Sequence, residues 1–107
     1  MHKSYYTYIM SNRNDTTLYV GVTNDLKRRV SEHRVSDSRT FTGRYLCHKL
    51  VYFETYSSID EAIYREKQIK SWRRIKKDRM IDNVNPRRRD LMDDGFEDGH
   101  GPFRTSP

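Results

Sequence analysis

Three side chains in this sequence stand where a helix would ordinarily bury apolar residues, and all three can do chemistry. In "LYVGVTNDLKRRVSEHR", residues 18–34, counting about 100° per residue from Leu26 returns Arg29, Val30 and His33 to one face, the spacing of a core-facing stripe. A second stripe, Ile59, Ala62, Ile63 and Ile69, carries Glu66 in its middle. Burying an unpaired carboxylate is costly, so Glu66 needs an arginine, a metal ion or a polar cavity. Arg29 is one available mate, in a buried salt bridge. Arg29 can also lay its stem along a sheet with its head in water, and His33 can act as a cation at a helix C-terminus. Taken together, a guanidinium, an imidazole and a carboxylate turned toward tyrosine-bearing strands form a polar pocket able to bind an anion and move protons.

The elements that must position these groups are legible in outline. "YYTYIM" (5–10) is aromatic and β-branched, "SNRNDT" is turn chemistry and "LYVGVT" (18–23) resumes a strand, so the three predict a β-hairpin. Tyr6 and Tyr8 share one face of the first strand, and Tyr19 and Gly21 share a face of its partner. Thr23 or Asn24 is expected to cap a helix over 24–34, with Asp25 in its first turn. "KLVYFETY" (49–56) is the third strand, and Ser58 to Glu61 has capping-box spacing for a long helix over 58–72, with "KKDRMIDNV" adding a turn or two. Asn85-Pro86 marks a break. The expected fold is α/β (α+β): a small three-stranded antiparallel sheet flanked by helices, formed by residues 1–92. Residues 93–107, rich in Gly, Pro and acids, are expected to be a flexible tail.

Charge narrows the partner. Residues 1–89 hold twenty bases against ten acids, whereas the final eighteen residues hold five acids and one base, Arg104. A body of that charge suits a polyanion, nucleic acid before an acidic membrane surface. The lone cysteine, Cys47, excludes an internal disulfide, no Cys/His spacing of zinc-site kind occurs, and no apolar run has membrane-spanning length. The chain reads as a cytoplasmic protein with no membrane partner.

These residues resemble the GIY-YIG nuclease superfamily, in particular its small prokaryotic members, which are similar to the nuclease module of the excision-repair incision subunit. "YTY" at 6–8 stands at the first signature tripeptide and "YVG" at 19–21 at the second, with Arg29, His33, Glu66 in "REKQIKSW" and Asn85 in "NPRRRDL" following in order over residues 4–91. One departure is clear: Tyr6 occupies the place of the first glycine. Asn83 lies two residues from Asn85, and either can reach the site.

The resemblance implies a metal-dependent nuclease hydrolysing phosphodiester bonds in DNA. It implies one Mg²⁺ (or Mn²⁺) on Glu66, Arg29 on the phosphate, Tyr8 as candidate general base, and Tyr19, His33 and Asn85 completing the catalytic set, with Gly21 structural beside them. Mg²⁺ suits a single carboxylate because it retains waters and takes few protein ligands. Backbone-directed, sequence-blind DNA contacts are expected from Lys70, Arg73, Arg74, Lys76 and Lys77 on the long helix and from Arg39 and Arg44 in the loop. The competing class is a non-catalytic nucleic-acid-binding module, an RNA- or ribosome-associated basic protein. It explains the charge but leaves Glu66 on an apolar stripe unexplained.

Overall fold

The computed structural model describes residues 3–35 and 45–93. Strands β1 (Tyr5–Ser11), β2 (Leu18–Thr23) and β3 (Lys49–Tyr56) form an antiparallel sheet in the order β2-β1-β3, flanked by helices α1 (Leu26–Arg34), α2 (Ile59–Lys70) and α3 (Arg74–Val84). This is the α+β architecture expected, with all three strands in place. Arg39 and Arg44 lie outside the described residues, as does the expected tail beyond Asp93.

β1 is the central strand, and the two-residue period of its side chains sorts the core into two layers. Tyr6, Tyr8 and Met10 point to the α1 side, where they pack with Leu26, Val30, Cys47, Leu50 and Phe53. Ile9 points to the opposite side with Val20, Val51 and Tyr52, covered by Ile69 of α2 and Ile81 of α3. A register shift at Ile9/Met10 places Tyr52 and Leu50 opposite them, leaving Val51 as the extra residue of a β-bulge in β3. Tyr6, at the position of the first signature glycine, is 3 % exposed and meets Phe53 edge-on with ring centroids 6.2 Å apart. Its bulk is absorbed by the α1-side core.

Four details differ from the sequence reading. Asp25, not Thr23 or Asn24, caps α1: its carboxylate accepts from the Arg28 amide at 3.2 Å, and the Thr23 hydroxyl accepts from the Asp25 amide instead. Ser58 occupies the cap position of α2 without a side-chain cap bond, so the capping box does not close; Asp60 and Glu61 still favour that end through the helix dipole. Helix α2 ends at Lys70, where the Ser71 hydroxyl turns back to the Gln68 carbonyl at 2.6 Å and Arg73 is extended. Lys76, Lys77 and Arg74 therefore belong to a separate helix, α3. Finally, only Ala62 and Ile69 of the α2 stripe are buried, while Ile59 and Ile63 reach the surface.

Candidate active site

The sheet register sets the first layer of the site. Tyr8 lies opposite Gly21 and Met10 opposite Tyr19, so Tyr8, Tyr19 and Gly21 all face α1. The Tyr8 ring crosses directly over Gly21: a Cβ built there would stand 2.6 Å from the Tyr8 Oη and 3.0 Å from Tyr19 Cε2. Glycine is required here by that close approach, not by backbone conformation.

Helix α1 supplies the second layer. Leu26 and Val30 anchor its inner face in the core, which carries His33, 4 % exposed, onto the tyrosines one turn later. Tyr8 Oη lies 2.8 Å from His33 Nε2, and the Tyr19 ring meets His33 edge-on with centroids 5.1 Å apart. Arg29, one turn before His33, is drawn to the hydroxyls of Tyr8 and Tyr19 and held on its outer side by Glu32 at 2.9 Å. Its guanidinium is kept firmly protonated, first by Tyr8 and then by Glu32.

Protonation follows from this packing. Burial pushes the Tyr8 phenol up to about 12, with Arg29 pulling the other way. Burial lowers the His33 imidazole to about 4, reinforced by the Arg29 charge and, more weakly, by His48. Near neutrality both rings are uncharged. A guanidinium can only donate, so the Tyr8 oxygen is an acceptor toward Arg29, and one hydrogen is shared between Tyr8 Oη and His33 Nε2, its owner set by the imidazole tautomer. In the Nδ1–H tautomer the Nε2 lone pair is the acceptor for the phenol hydrogen. The result is a phenol in hydrogen-bond contact with a neutral imidazole, beside a fixed cation.

Glu66 and Arg29 do not pair with each other. Glu66 accepts from Lys70 at 2.9 Å, one turn along α2, with its side chain 18 % exposed. The buried salt bridge that would have explained both residues without chemistry is therefore not formed. As a metal ligand, Glu66 offers one hard oxygen donor, and no cluster of three or more His, Cys, Asp or Glu occurs among the described residues. That donor set fits Mg²⁺ or Mn²⁺ held mostly by water and substrate oxygens, and it does not fit zinc.

The remaining residues singled out in the sequence have varied surroundings. Asn85 is 5 % exposed and donates both amide hydrogens to backbone carbonyls, of Val51 at 2.9 Å and Arg89 at 3.0 Å, while its oxygen accepts from the Arg89 amide. It braces β3 against the segment after α3, which leaves its amide no hydrogen for a substrate. Arg74 binds Asp78 and donates to the carbonyls of Thr16 and Asp15, clamping α3 to the β1–β2 turn. Lys76 stacks 4.3 Å from the Trp72 ring centroid. Lys70 is taken by Glu66, Lys77 is half-buried, and Arg73 is exposed.

A buried charge that sequence reasoning missed lies on β3. Glu54 has no exposed surface; Arg65 grips it with Nε to Oε1 at 2.9 Å and Nη2 to Oε2 at 3.1 Å, and the hydroxyls of Tyr56 and Tyr52 donate to it. The signal was present in the alternation of Tyr52, Glu54 and Tyr56 on one strand face, a place where charges on strands, and not only on helices, need inspection.

Residues 4–79 match the family model described as the GIY-YIG catalytic domain. The chain belongs to the GIY-YIG family. A GIY-YIG catalytic domain points to nuclease chemistry, and nucleases of this family generally use divalent metals. Among curated relatives, the GIY-YIG chain is 37% identical over 81 residues to a UPF0213 protein of Natronomonas pharaonis, covering 76% of this chain and 94% of that one. It is 35% identical over 82 residues to a UPF0213 protein of Haloquadratum walsbyi, covering 77% and 91%. A solution NMR structure of the UPF0213 protein BH0048 from Bacillus halodurans matches with TM-score 0.49 and 25% identity, over 77% of this chain and 86% of that one. Among the described residues, no helix of this GIY-YIG protein is long and apolar enough to cross a membrane.

Proposed function

We propose that this protein is a metal-dependent endonuclease that hydrolyses phosphodiester bonds in DNA. The observation that carries the reading is the Tyr8–His33 contact at 2.8 Å, with the Arg29 cation drawn to the same phenol oxygen. A buried tyrosine needs one hydrogen-bond partner for structure alone; a proton-moving one also needs a cation to stabilise its phenolate, and Arg29 is that cation here.

The residues divide the work according to their chemistry. Arg29 meets the non-bridging phosphate oxygens, where a planar fork matches two acceptors at once. An incoming phosphate shares the guanidinium with Tyr8 and raises the proton affinity of the neighbouring imidazole, because an anion stabilises the cationic ring. His33 then accepts the Tyr8 proton through Nε2, and the phenolate oxygen takes a proton from the attacking water. Tyr19 packs against His33 and fixes its plane. Glu66 would hold one Mg²⁺ once Lys70 releases it, and the ion, when bound, supplies Lewis-acid stabilisation of the phosphate and leaving oxygen. Exposed Arg73 contributes to a sequence-blind backbone contact, with the cytoplasm as the place of action.

The test is cleavage of single-stranded, double-stranded and branched DNA with and without Mg²⁺, by wild type and Tyr8→Phe. The reading expects wild type to cut only with the metal and the variant to lose activity while still binding DNA.

A further inference from the structure

The nuclease site uses Glu66 but does not by itself explain what keeps that carboxylate aimed. On α2, Ala62 and Ile69 define the buried direction, and the helical period places Arg65 and Glu66 on the two flanks of it, about 100° apart. Arg65 is turned toward β3 and α3. There it forks onto Glu54, its Nη1 donates to Gln68 at 2.7 Å, its Nη2 approaches the Met80 sulfur at 3.6 Å, and its guanidinium lies 5.1 Å from the Trp72 ring centroid. Glu66 is therefore on the flank of α2 turned away from Arg65 and its contacts on β3.

The anchor is rigid at both ends. Glu54 accepts from Arg65 twice and from two tyrosine hydroxyls, and Thr7, its register partner on β1, donates its hydroxyl to the Ala62 carbonyl of α2 at 2.7 Å. Burying an ion pair gains little net stability, because desolvation of both charges offsets their attraction. What such a pair can fix is geometry: the bidentate fork admits one orientation of the guanidinium, and with the Ala62 carbonyl also held by Thr7 it resists turning of α2 about its axis.

We propose that the Glu54–Arg65 pair is a rotational lock on α2 that sets the direction in which Glu66 presents its carboxylate to the metal. Glu54 and Arg65 are thus positioning residues for the divalent cation and touch neither metal nor substrate. The inference rests on Glu66 being the metal ligand.

The double variant Glu54→Gln/Arg65→Met tests it, because removing both charges together spares the core an unpaired ion. Mn²⁺ is titrated, by its paramagnetic resonance signal, into protein saturated with a short phosphorothioate DNA that resists cleavage. Thermal melting and DNA affinity in chelator are measured alongside. The lock predicts near-wild-type melting and DNA affinity with Mn²⁺ binding weakened about tenfold. Arg65→Lys, which keeps the charge but loses the fork, should weaken Mn²⁺ several-fold and serves if the double variant does not fold. Folded variants that bind Mn²⁺ like wild type overturn the lock. If wild type itself shows no Mn²⁺ binding that Glu66→Gln removes, the failure is that of the metal-ligand reading.

Discussion

Tyr8 Oη and His33 Nε2 lie 2.8 Å apart although twenty-five residues separate them in the chain. A central strand and the helix that follows its partner strand bring them together, and the intervening Gly21 leaves room for the phenol to cross. Replacing Tyr8 with Phe removes one oxygen from this arrangement and little volume. Cleavage should fall by about two to four orders of magnitude, the usual span for a lost proton-transfer group, while the helical circular dichroism is retained. Retention of more than a tenth of wild-type turnover would exclude Tyr8 as the group that moves the proton.

Acid should weaken the fold through His33. Its imidazole titrates near 6.5 in an unfolded chain and about 4 in the fold, so between those values the unfolded chain holds more protons. Stability contributed by the neutral ring is complete above about pH 6.5 and is lost as pH falls toward 4, by at most roughly 3 kcal/mol. Urea titrations of wild type and His33→Gln across this window should converge as pH falls. Parallel curves would mean that His33 is already charged in the fold.

Gly21→Ala tests the close approach directly. A methyl 2.6 Å from the Tyr8 Oη and 2.7 Å from its Cζ must displace a ring with no exposed surface, and overpacking of this kind costs about 1–3 kcal/mol. Both melting temperature and cleavage should drop, and the Tyr8–His33 contact should be lost in the variant's NMR spectrum. An unchanged melt would show that the ring has somewhere else to go.

The arginines of the α2–α3 junction should separate. Arg73 is exposed and available to a phosphate, whereas Arg74 is committed to two carbonyls of the β1–β2 turn and to Asp78. Arg73→Ala should therefore reduce the slope of log affinity against log salt by about one and leave the melt unchanged. Arg74→Ala should chiefly lower the melting temperature. The reverse pattern would place the DNA path on another face.

How much of this was legible in sequence depended on the kind of signal. The strands and the inward turn of Arg29 and His33 followed from periodicity, because two- and 3.6-residue repeats survive folding. The end of α2 did not, since neither Gly nor Pro marks it and the stop is made by the Ser71 side chain returning to the backbone. Asn85 matched a family position by order along the chain, yet in the fold its amide is spent on the carbonyls of Val51 and Arg89, which no local pattern announces. Glu54 was hidden because a charge amid aromatic strand residues gives no helical-stripe signal, and its mates come from α2 and from the same strand.

The most direct measurement is cleavage of DNA by Glu66→Gln in Mg²⁺, with DNA affinity in chelator and thermal melting recorded on the same preparation. Glutamine keeps the volume and removes the charge that would hold the ion. Glu66 is bonded only to Lys70 among the described residues, on a flank of α2 and not in the core, so the melt should scarcely move. The account predicts near-complete loss of Mg²⁺-dependent cleavage with DNA affinity held or slightly raised, since one negative charge facing the phosphates is gone. A wild type that cuts no nucleic acid in any divalent metal, or a variant that cuts as well as wild type, would contradict it and leave a basic nucleic-acid-binding module in its place.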